Sequence, residues 1–304
     1  MLSSDWPLIL FTLFVQMSVG TFLFLGILHD VSFVKLEERI FEMVSNSLLK
    51  LISVILMLAV MASLFHLGSP QKAINALNNL ESSYLSREIL SLIIYILFGG
   101  VFLIIYIKYN TKILLIFFLA LITILFGFRT IYYMSSIYML ETVPVWNSLF
   151  TPLSFYLSVL LLGSSLIFYS LIRIINRNNL LTAPDESTGK KLSFTLHFLL
   201  ITTNLLVLLN LTLFFIQIVY LSTGDETLRA SYDLLVKENL FFVISKIILL
   251  VTAIAFSFSL IKKFRIEKVL LSLNRYSTFY FVLIILIELI GRYLFYASYH
   301  RIGV

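Results

Sequence analysis

The stretch HLGSPQKAINALNNLESSYLSREI, residues 66–89, is a polar connection between two long apolar segments. Each of those segments reaches the roughly 20 apolar residues that a helix needs to cross a bilayer. His66 stands at the end of the first segment and Glu88 at the start of the second. Ionisable groups at membrane depth cost free energy to insert, so both side chains are candidates for function.

The composition is that of a membrane protein. Apolar residues make up 60% of the protein and charged residues 12%, and the mean hydropathy is +1.01, whereas soluble domains carry about 25% charged residues. The absence of cysteine excludes disulfides, covalently attached haem c and thiolate-held iron–sulfur clusters within this protein. The first basic residue is Lys35, so the positive segment that begins a signal peptide is not expected.

The hydropathy pattern predicts an all-α integral membrane protein, a bundle of eight transmembrane helices in a single polytopic domain, residues 1–304. The eight helices are expected at about 6–28, 44–65, 87–107, 112–135, 149–172, 193–221, 239–261 and 277–297. Residues 177–191 are predicted to be a solvated loop, and residues 222–238 a polar connection that includes a short surface helix. The matched, Gly- or Pro-broken spans of many transporters are not evident.

The distribution of basic residues predicts the orientation. Connections after the odd-numbered helices hold thirteen Lys and Arg, and those on the opposite side hold five. The richer side is expected in the cytoplasm, which places both termini and the 66–89 connection outside. The basic excess therefore reflects membrane topology, and no nucleic-acid partner is expected.

Several ionisable residues fall within the predicted spans. Arg129 is in the fourth helix, Lys246 in the seventh, and Glu288 and Arg292 in the eighth. Glu288 and Arg292 are spaced i,i+4 with the acid first, which favours an ion pair within the helix. Because one unpaired charge at the centre of a span costs about 2.5–3.5 kcal/mol, an outward-opening polar pocket is expected to hold several of them.

The histidines argue against haem. The four histidines are His29, His66, His197 and His300. All are predicted at helix ends or in loops, whereas the axial ligands of a b-type haem would need to lie about a turn inside the helices. We therefore expect no haem in this protein.

Four segments in order along the sequence resemble the DmsC family, the membrane-anchor subunits of dimethyl sulfoxide reductase. They are WPLILFT at 6–12, the 66–89 stretch, ETVPVWNSLFTPLSFYLS at 141–158 and ELIGRYLFY at 288–296. HLGSP followed by LSxE, TVPxW and ELxGR is a specific combination.

The resemblance implies an eight-helix, haem-free anchor in the bacterial cytoplasmic membrane. Such an anchor holds a ferredoxin-type iron–sulfur subunit and a molybdopterin catalytic subunit at the outer face, and it oxidises menaquinol. The quinol-site His and Glu of the family match His66 and Glu88. The sequence departs from the family at Ser136, where members often carry Arg, and at Arg87, beside Glu88, where Asn occurs.

The residues support quinol oxidation as follows. His66 titrates near neutral pH and is expected to accept one hydroxyl proton, while Glu88 relays a proton outward. Arg129, Glu288 and Arg292 are further candidates for the quinol pocket. The protein itself is then a quinol-oxidising subunit, and the terminal reduction takes place in a partner.

Two alternatives stay open on sequence grounds. One is a transporter or permease with Arg129, Glu288 and Arg292 in an outward-facing polar site. The other is a structural anchor without quinol chemistry.

Overall fold

The computed structural model describes residues 6–30, 38–66, 75, 77–108, 113–177, 186–264 and 270–302. Every long element in these ranges is helical. The helices are α1 (Trp6–Asp30), α2 (Glu38–His66), α3 (Tyr84–Lys108), α4 (Ile113–Ser136), α5 (Phe150–Arg177), α6 (Glu186–Thr223), α7 (Glu226–Tyr232), α8 (Leu240–Phe264) and α9 (Leu270–Ala297). A π-helical segment, Asp233–Glu238, joins α7 to α8.

Eight of the described helices, all except α7, are long and apolar enough to cross a membrane. The predicted all-helical fold and the prediction of eight long apolar helices are therefore confirmed for the described residues. Consecutive spans run in opposite directions, so α2 ends at the face where α3 begins. That face is called the Glu88 end below; its position outside the cell stays a prediction.

Helices α1 and α5 form the centre of the bundle and cross at two glycines. A Cβ on Gly20 would lie 1.9 Å from the Val159 carbonyl oxygen, and one on Gly163 would lie 2.2 Å from the Gly20 carbonyl carbon. In a bilayer, where apolar side chains gain little by leaving lipid, small residues let two backbones approach and pack closely. This crossing therefore fixes the distance between the two central helices.

Two four-helix groups pack around this crossing. In the first, α2 packs against α1, and α3 packs chiefly against α4. In the second, α5 contacts α6 and α9, and α8 contacts both α6 and α9. Helix α9 also contacts α1, so residues near the Glu88 end of α9 lie between the two groups.

Three predicted helix starts were wrong by six or seven residues. Helix α2 begins at Glu38, six residues before the predicted start near 44. Helices α6 and α9 begin at Glu186 and Leu270, each seven residues before the predicted starts near 193 and 277. Lys190 and Lys191 consequently lie in a helix and not in a solvated loop, and His197 lies inside α6 and not at its end. The predicted helices were limited to about the length that crosses a membrane. The 38 residues of α6 measure roughly 57 Å, so this helix continues well beyond a hydrocarbon core of about 30 Å.

The short surface helix predicted within 222–238 is confirmed as α7. The Asp225 carboxylate accepts a hydrogen bond from the Leu228 backbone N–H at 2.9 Å and another from the Thr227 hydroxyl at 2.7 Å. These bonds hold the pKa of Asp225 below its usual range. The cap satisfies a backbone donor at the start of α7, which explains why a helix of seven residues forms here.

Candidate functional site

The two residues singled out first by the sequence lie at matching depths at the Glu88 end. His66 is the last residue of α2, and Glu88 is in the second turn of α3. Val60, six residues before His66, lines the same groove as Tyr95, seven residues after Glu88. Because both helices rise about 1.5 Å per residue, the backbones of His66 and Glu88 stand at nearly the same height. The side chain of His66 lies outside the described part of the structure.

Glu88 is buried, with only 5% of its surface exposed. It belongs to an inward-facing row on α3 with Ser91 and Tyr95, spaced i, i+3 and i+7. Ser91 donates to the Phe126 carbonyl at 3.2 Å, and the Tyr95 and Ser18 hydroxyls are 3.3 Å apart. Among the described residues, by contrast, none donates a hydrogen bond to the Glu88 carboxylate.

A buried carboxylate without a donor is unfavourable, and native proteins rarely contain one without a reason. Glu88 therefore differs from a structural polar residue, which would be satisfied by its neighbours. A ligand hydroxyl that donates to this carboxylate would remove the penalty. This environment is what we expect of a binding or proton-accepting group.

Aromatic side chains from the α4–α5 connection and α9 form a wall beside Glu88. The hydroxyls of Tyr138 and Tyr296 are 2.7 Å apart, and the Trp146 indole N–H donates to the Phe295 carbonyl at 2.9 Å. Burial raises the pKa of Tyr138 well above its usual range; Tyr296 and the Glu88 carboxylate add to the rise, and Arg292 opposes it. Glu88 and Arg292 therefore share the surroundings of Tyr138, which keeps its proton.

Arg292 is buried in α9 between the two helix groups, with 4% of its surface exposed. Its guanidinium carbon lies 3.7 Å from the centre of the Phe155 ring, and its Nη2 donates to Gln16 Oε1 at 3.2 Å. The aromatic face and the amide oxygen stabilise the positive charge inside the bundle. Gln16 was not singled out by the sequence, because a neutral amide in an apolar span gives no charge signal.

Glu288 lies in a separate polar chamber of the second helix group. One carboxylate oxygen accepts from the Ser158 hydroxyl and the other from Asn210 Nδ2 at 3.0 Å. The chamber has a volume of about 60 Å³, and Lys246 and Arg292 also line it. The Lys246 ammonium lies 4.2 Å from the centre of the Phe214 ring.

The ion pair expected between Glu288 and Arg292 does not form in the described structure, so that expectation was wrong. The two residues lie one turn apart on α9, but Glu288 extends towards α5 and α6 and Arg292 towards α1 and the Phe155 ring. Hydrogen bonds to neighbouring helices replace the ion pair. Ser158 and Asn210, like Gln16, are neutral side chains, so a search of the spans for charged residues does not identify them.

Arg129 is exposed and Arg87 is half-buried, and both side chains are hydrogen-bonded to groups other than Glu88. Arg129 Nε donates to the Tyr133 hydroxyl at 3.1 Å. Arg87 donates from Nε to the Leu80 carbonyl at 2.7 Å and from Nη2 to the Glu81 carbonyl. The structure therefore places Glu88 and Arg292 each within electrostatic reach of Tyr138, while Arg292 also lines the chamber of Glu288 and Arg129 is exposed.

Within the described ranges, the structure contains no cluster of three or more His, Asp or Glu side chains that could hold a metal ion. The absence of haem stays a prediction.

Comparison with known proteins gives the family. The model of the DMSO reductase anchor subunit family, DmsC, matches residues 2–298, nearly the whole length of the protein. The protein belongs to the DmsC family. The resemblance of its four motifs to that family is thereby confirmed, and a multi-pass membrane protein is the expected form of such a subunit.

Three curated relatives of this DmsC-family protein are bacterial. The C subunit of anaerobic dimethyl sulfoxide reductase from Escherichia coli strain K12 is 32% identical over 174 residues, 56% of this protein and 58% of the relative. The corresponding C subunit from Haemophilus influenzae is 32% identical over 170 residues, 55% of this protein and 59% of the relative. The YnfH subunit of an Escherichia coli anaerobic dimethyl sulfoxide reductase is 30% identical over 169 residues, 52% of this protein and 55% of the relative.

The protein thus spans somewhat more than half the length of the curated relatives it matches. No solved structure matches it.

Proposed function

We propose that this protein is the membrane anchor of a dimethyl sulfoxide reductase-type molybdoenzyme and that it oxidises menaquinol at Glu88 and His66. Membership of the anchor family supports the class. The observation that carries the site is the burial of Glu88, whose carboxylate receives no hydrogen bond from the described residues and which stands at the depth of His66.

The chemistry requires two proton acceptors. Oxidation of a quinol to a quinone releases two electrons and two protons, and the hydroxyls are too weakly acidic to lose protons unaided at neutral pH. Glu88 accepts a hydrogen bond from one hydroxyl and takes its proton, and His66 does the same for the other. Tyr138, which stays protonated, forms a wall of the site on the side of Arg292.

The electrons leave through a partner. The sequence has no cysteine to hold a cluster, so the two electrons pass to an iron–sulfur subunit and from there to a molybdopterin catalytic subunit. The relatives are named for dimethyl sulfoxide reductase, and an acceptor of that kind is proposed here. The complex is placed in the bacterial cytoplasmic membrane, with the Glu88 end outside.

The transporter alternative finds less support. Its site was to be built from Arg129, Glu288 and Arg292, but Arg129 lies on the surface. The chamber beside Glu288 has a volume of only about 60 Å³, whereas small-molecule pockets usually measure about 300–1,000 Å³. A chamber of this size suits a few water molecules, each needing about 10–15 Å³.

The test compares two carboxylates of one connection. Glu88→Gln in the intact complex should lower quinol-dependent reduction of the partner's clusters by about 10²–10⁴-fold, the usual loss when a positioned proton acceptor is removed. The same is expected for His66→Ala. Turnover driven by an artificial dye that reduces the partner subunits directly should be unchanged, because the variants leave the partners intact.

Glu81→Gln is the matched control, since Glu81 is an exposed carboxylate seven residues earlier. It should keep the wild-type rate with both donors. Near-normal quinol oxidation by Glu88→Gln and His66→Ala would contradict the proposed site, and a complex without an iron–sulfur partner would contradict the proposed class.

A further inference from the structure

An apolar groove lies between α2 and α3 on the side of the bundle that faces lipid. Its volume is about 310 Å³, at the lower end of the roughly 300–1,000 Å³ typical of ligand pockets. Phe22 of α1 and Thr123 of α4 contribute to its lining, beside Met57 and Val60 of α2. The half-exposed Met57 and Val60 side chains indicate that the groove opens sideways into the bilayer.

Two adjacent glycines, Gly99 and Gly100, leave the middle of the α3 wall of the groove without side chains. A Cβ on Gly100 would meet nothing within 4 Å, and one on Gly99 would only touch the Thr123 methyl at 3.6 Å. Neither glycine is therefore needed for close helix packing, unlike Gly20 and Gly163. Glycine in a helix interior is unfavourable relative to other residues, so its presence here needs another reason.

The groove begins about two turns of α3 below Glu88. Its upper residues, Val60 on α2 and Tyr95 on α3, stand about 9 and 10 Å below His66 and Glu88 at a rise of about 1.5 Å per residue. The inward row of Glu88, Ser91 and Tyr95 leads from the carboxylate to the groove. A molecule whose ring is held at Glu88 would therefore extend its tail into the groove.

We propose that this groove binds the isoprenoid tail of the quinol and guides the ring from the lipid to Glu88. The inference rests on the proposed function and adds a second binding region to it. The apolar lining suits a hydrocarbon tail, and the space left by the paired glycines suits a methyl-branched one.

The polar group at the top of the groove favours binding of a quinol over binding of a phospholipid. The group at its head is the Glu88 carboxyl, which offers no positive charge to a phosphate and can accept a hydrogen bond from a hydroxyl. The nearest cation in the sequence, Arg87, is bonded to the Leu80 and Glu81 carbonyls. A phospholipid headgroup would therefore lack a cation at this position, whereas a quinol hydroxyl would have a hydrogen-bond acceptor.

The test fills the groove by Gly100→Leu in the intact complex. Two donors are compared, a menaquinol with its isoprenoid tail and a naphthoquinol without one. We expect the KM for the long-tailed quinol to rise by about tenfold, the factor for the loss of roughly two buried methylene contacts. The KM for the tail-free quinol should stay unchanged, because the site at Glu88 is intact.

Gly26→Leu is the matched control, since a Cβ on Gly26 also meets nothing within 4 Å. Gly26 lies near the C-terminal end of α1, which is the end remote from Glu88. Gly26→Leu should change neither KM. Equal KM values for Gly100→Leu and wild type with both donors would overturn the proposal and leave the groove to lipid acyl tails. An equal rise for both donors would also overturn it, because the ring site would then have been displaced.

The two proposals fail in different ways. A wild-type complex that oxidises neither quinol overturns the proposed function and this inference with it. A wild-type complex that oxidises both, is blocked by Glu88→Gln and is insensitive to Gly100→Leu overturns the inference alone.

Discussion

Two buried carboxylates in this protein have opposite surroundings. Both Glu88 and Glu288 have 5% of their surface exposed. Glu288 accepts hydrogen bonds at both oxygens, from Ser158 and Asn210, whereas no described residue donates to Glu88. Since a satisfied polar network stabilises a fold and an unsatisfied group costs free energy, this contrast supports a structural role for Glu288 and the proposed chemical role of Glu88.

Arg292 is the buried charge that links the two helix groups. It is held by Gln16 from α1 and by the face of Phe155 from α5. Its Nε and the Gln16 Nε2 have no hydrogen-bond partner in the described structure. The single bond between Arg292 and Gln16 is therefore the polar contact on which this charge depends.

Gln16→Leu should destabilise the protein by about 1.5–3 kcal/mol, the usual value of a hydrogen bond to a charged group. The loss is expected because Arg292 would keep only the aromatic face. Chemical unfolding in detergent measures it. Thr12→Val, one turn earlier on α1, is the control; its hydroxyl donates to the Ile9 carbonyl of its own helix, so the change should be smaller. Equal stability of Gln16→Leu and wild type would show that Arg292 does not depend on Gln16.

At the scale of helices, the two kinds of glycine have different roles. Gly20 and Gly163 let α1 and α5 approach closely, and Gly99 and Gly100 leave space beside a groove. The sequence alone does not separate these roles, because each glycine lies within an apolar segment. The distinction depends on which helix lies opposite, which the hydropathy pattern does not contain.

Gly163→Ala should destabilise the bundle by about 1–3 kcal/mol or more, the usual cost of overpacking a core. The new Cβ would lie 2.2 Å from the Gly20 backbone, so α1 and α5 must separate. Thermal unfolding in detergent measures the change. Gly26→Ala, which meets nothing within 4 Å, should be neutral or slightly stabilising. Equal effects of the two variants would mean that the α1–α5 crossing does not limit stability.

At the scale of the whole molecule, the sequence predicts the number of spans but not how they pack. All backbone groups in lipid must be satisfied within a helix, so long apolar segments identify the spans reliably. The starts of α2, α6 and α9 were missed, because polar residues such as Lys190 do not end a helix outside the hydrocarbon core. The i,i+4 ion pair was missed because Ser158, Asn210 and Gln16 reach α9 from distant parts of the sequence.

The candidate site follows the same rule. The sequence singled out Glu88 because an ionisable residue stands at the end of a predicted span. The burial of its side chain agrees with the proposed functional role. Arg129 carries the same kind of signal but lies on the surface with Tyr133. Charge within a span thus marks a residue for attention, and only the helix face decides whether it enters the bundle or remains at the surface.

Orientation across the membrane is a property of the whole protein and decides whether the Glu88 end faces outward. Reporter fusions after residues near 40, 80, 182 and 230 should lie inside, outside, inside and outside, because thirteen basic residues oppose five. Lys190 and Lys191, on the end of α6 away from Glu88, add to the predicted cytoplasmic side. A fusion near residue 300 should match the one near 80, since the Ile302 backbone N–H donates to the Thr142 carbonyl at the Glu88 end. A cytoplasmic signal near residue 80 would reverse the orientation and place the proposed proton release, and the partner subunits, on the inner side.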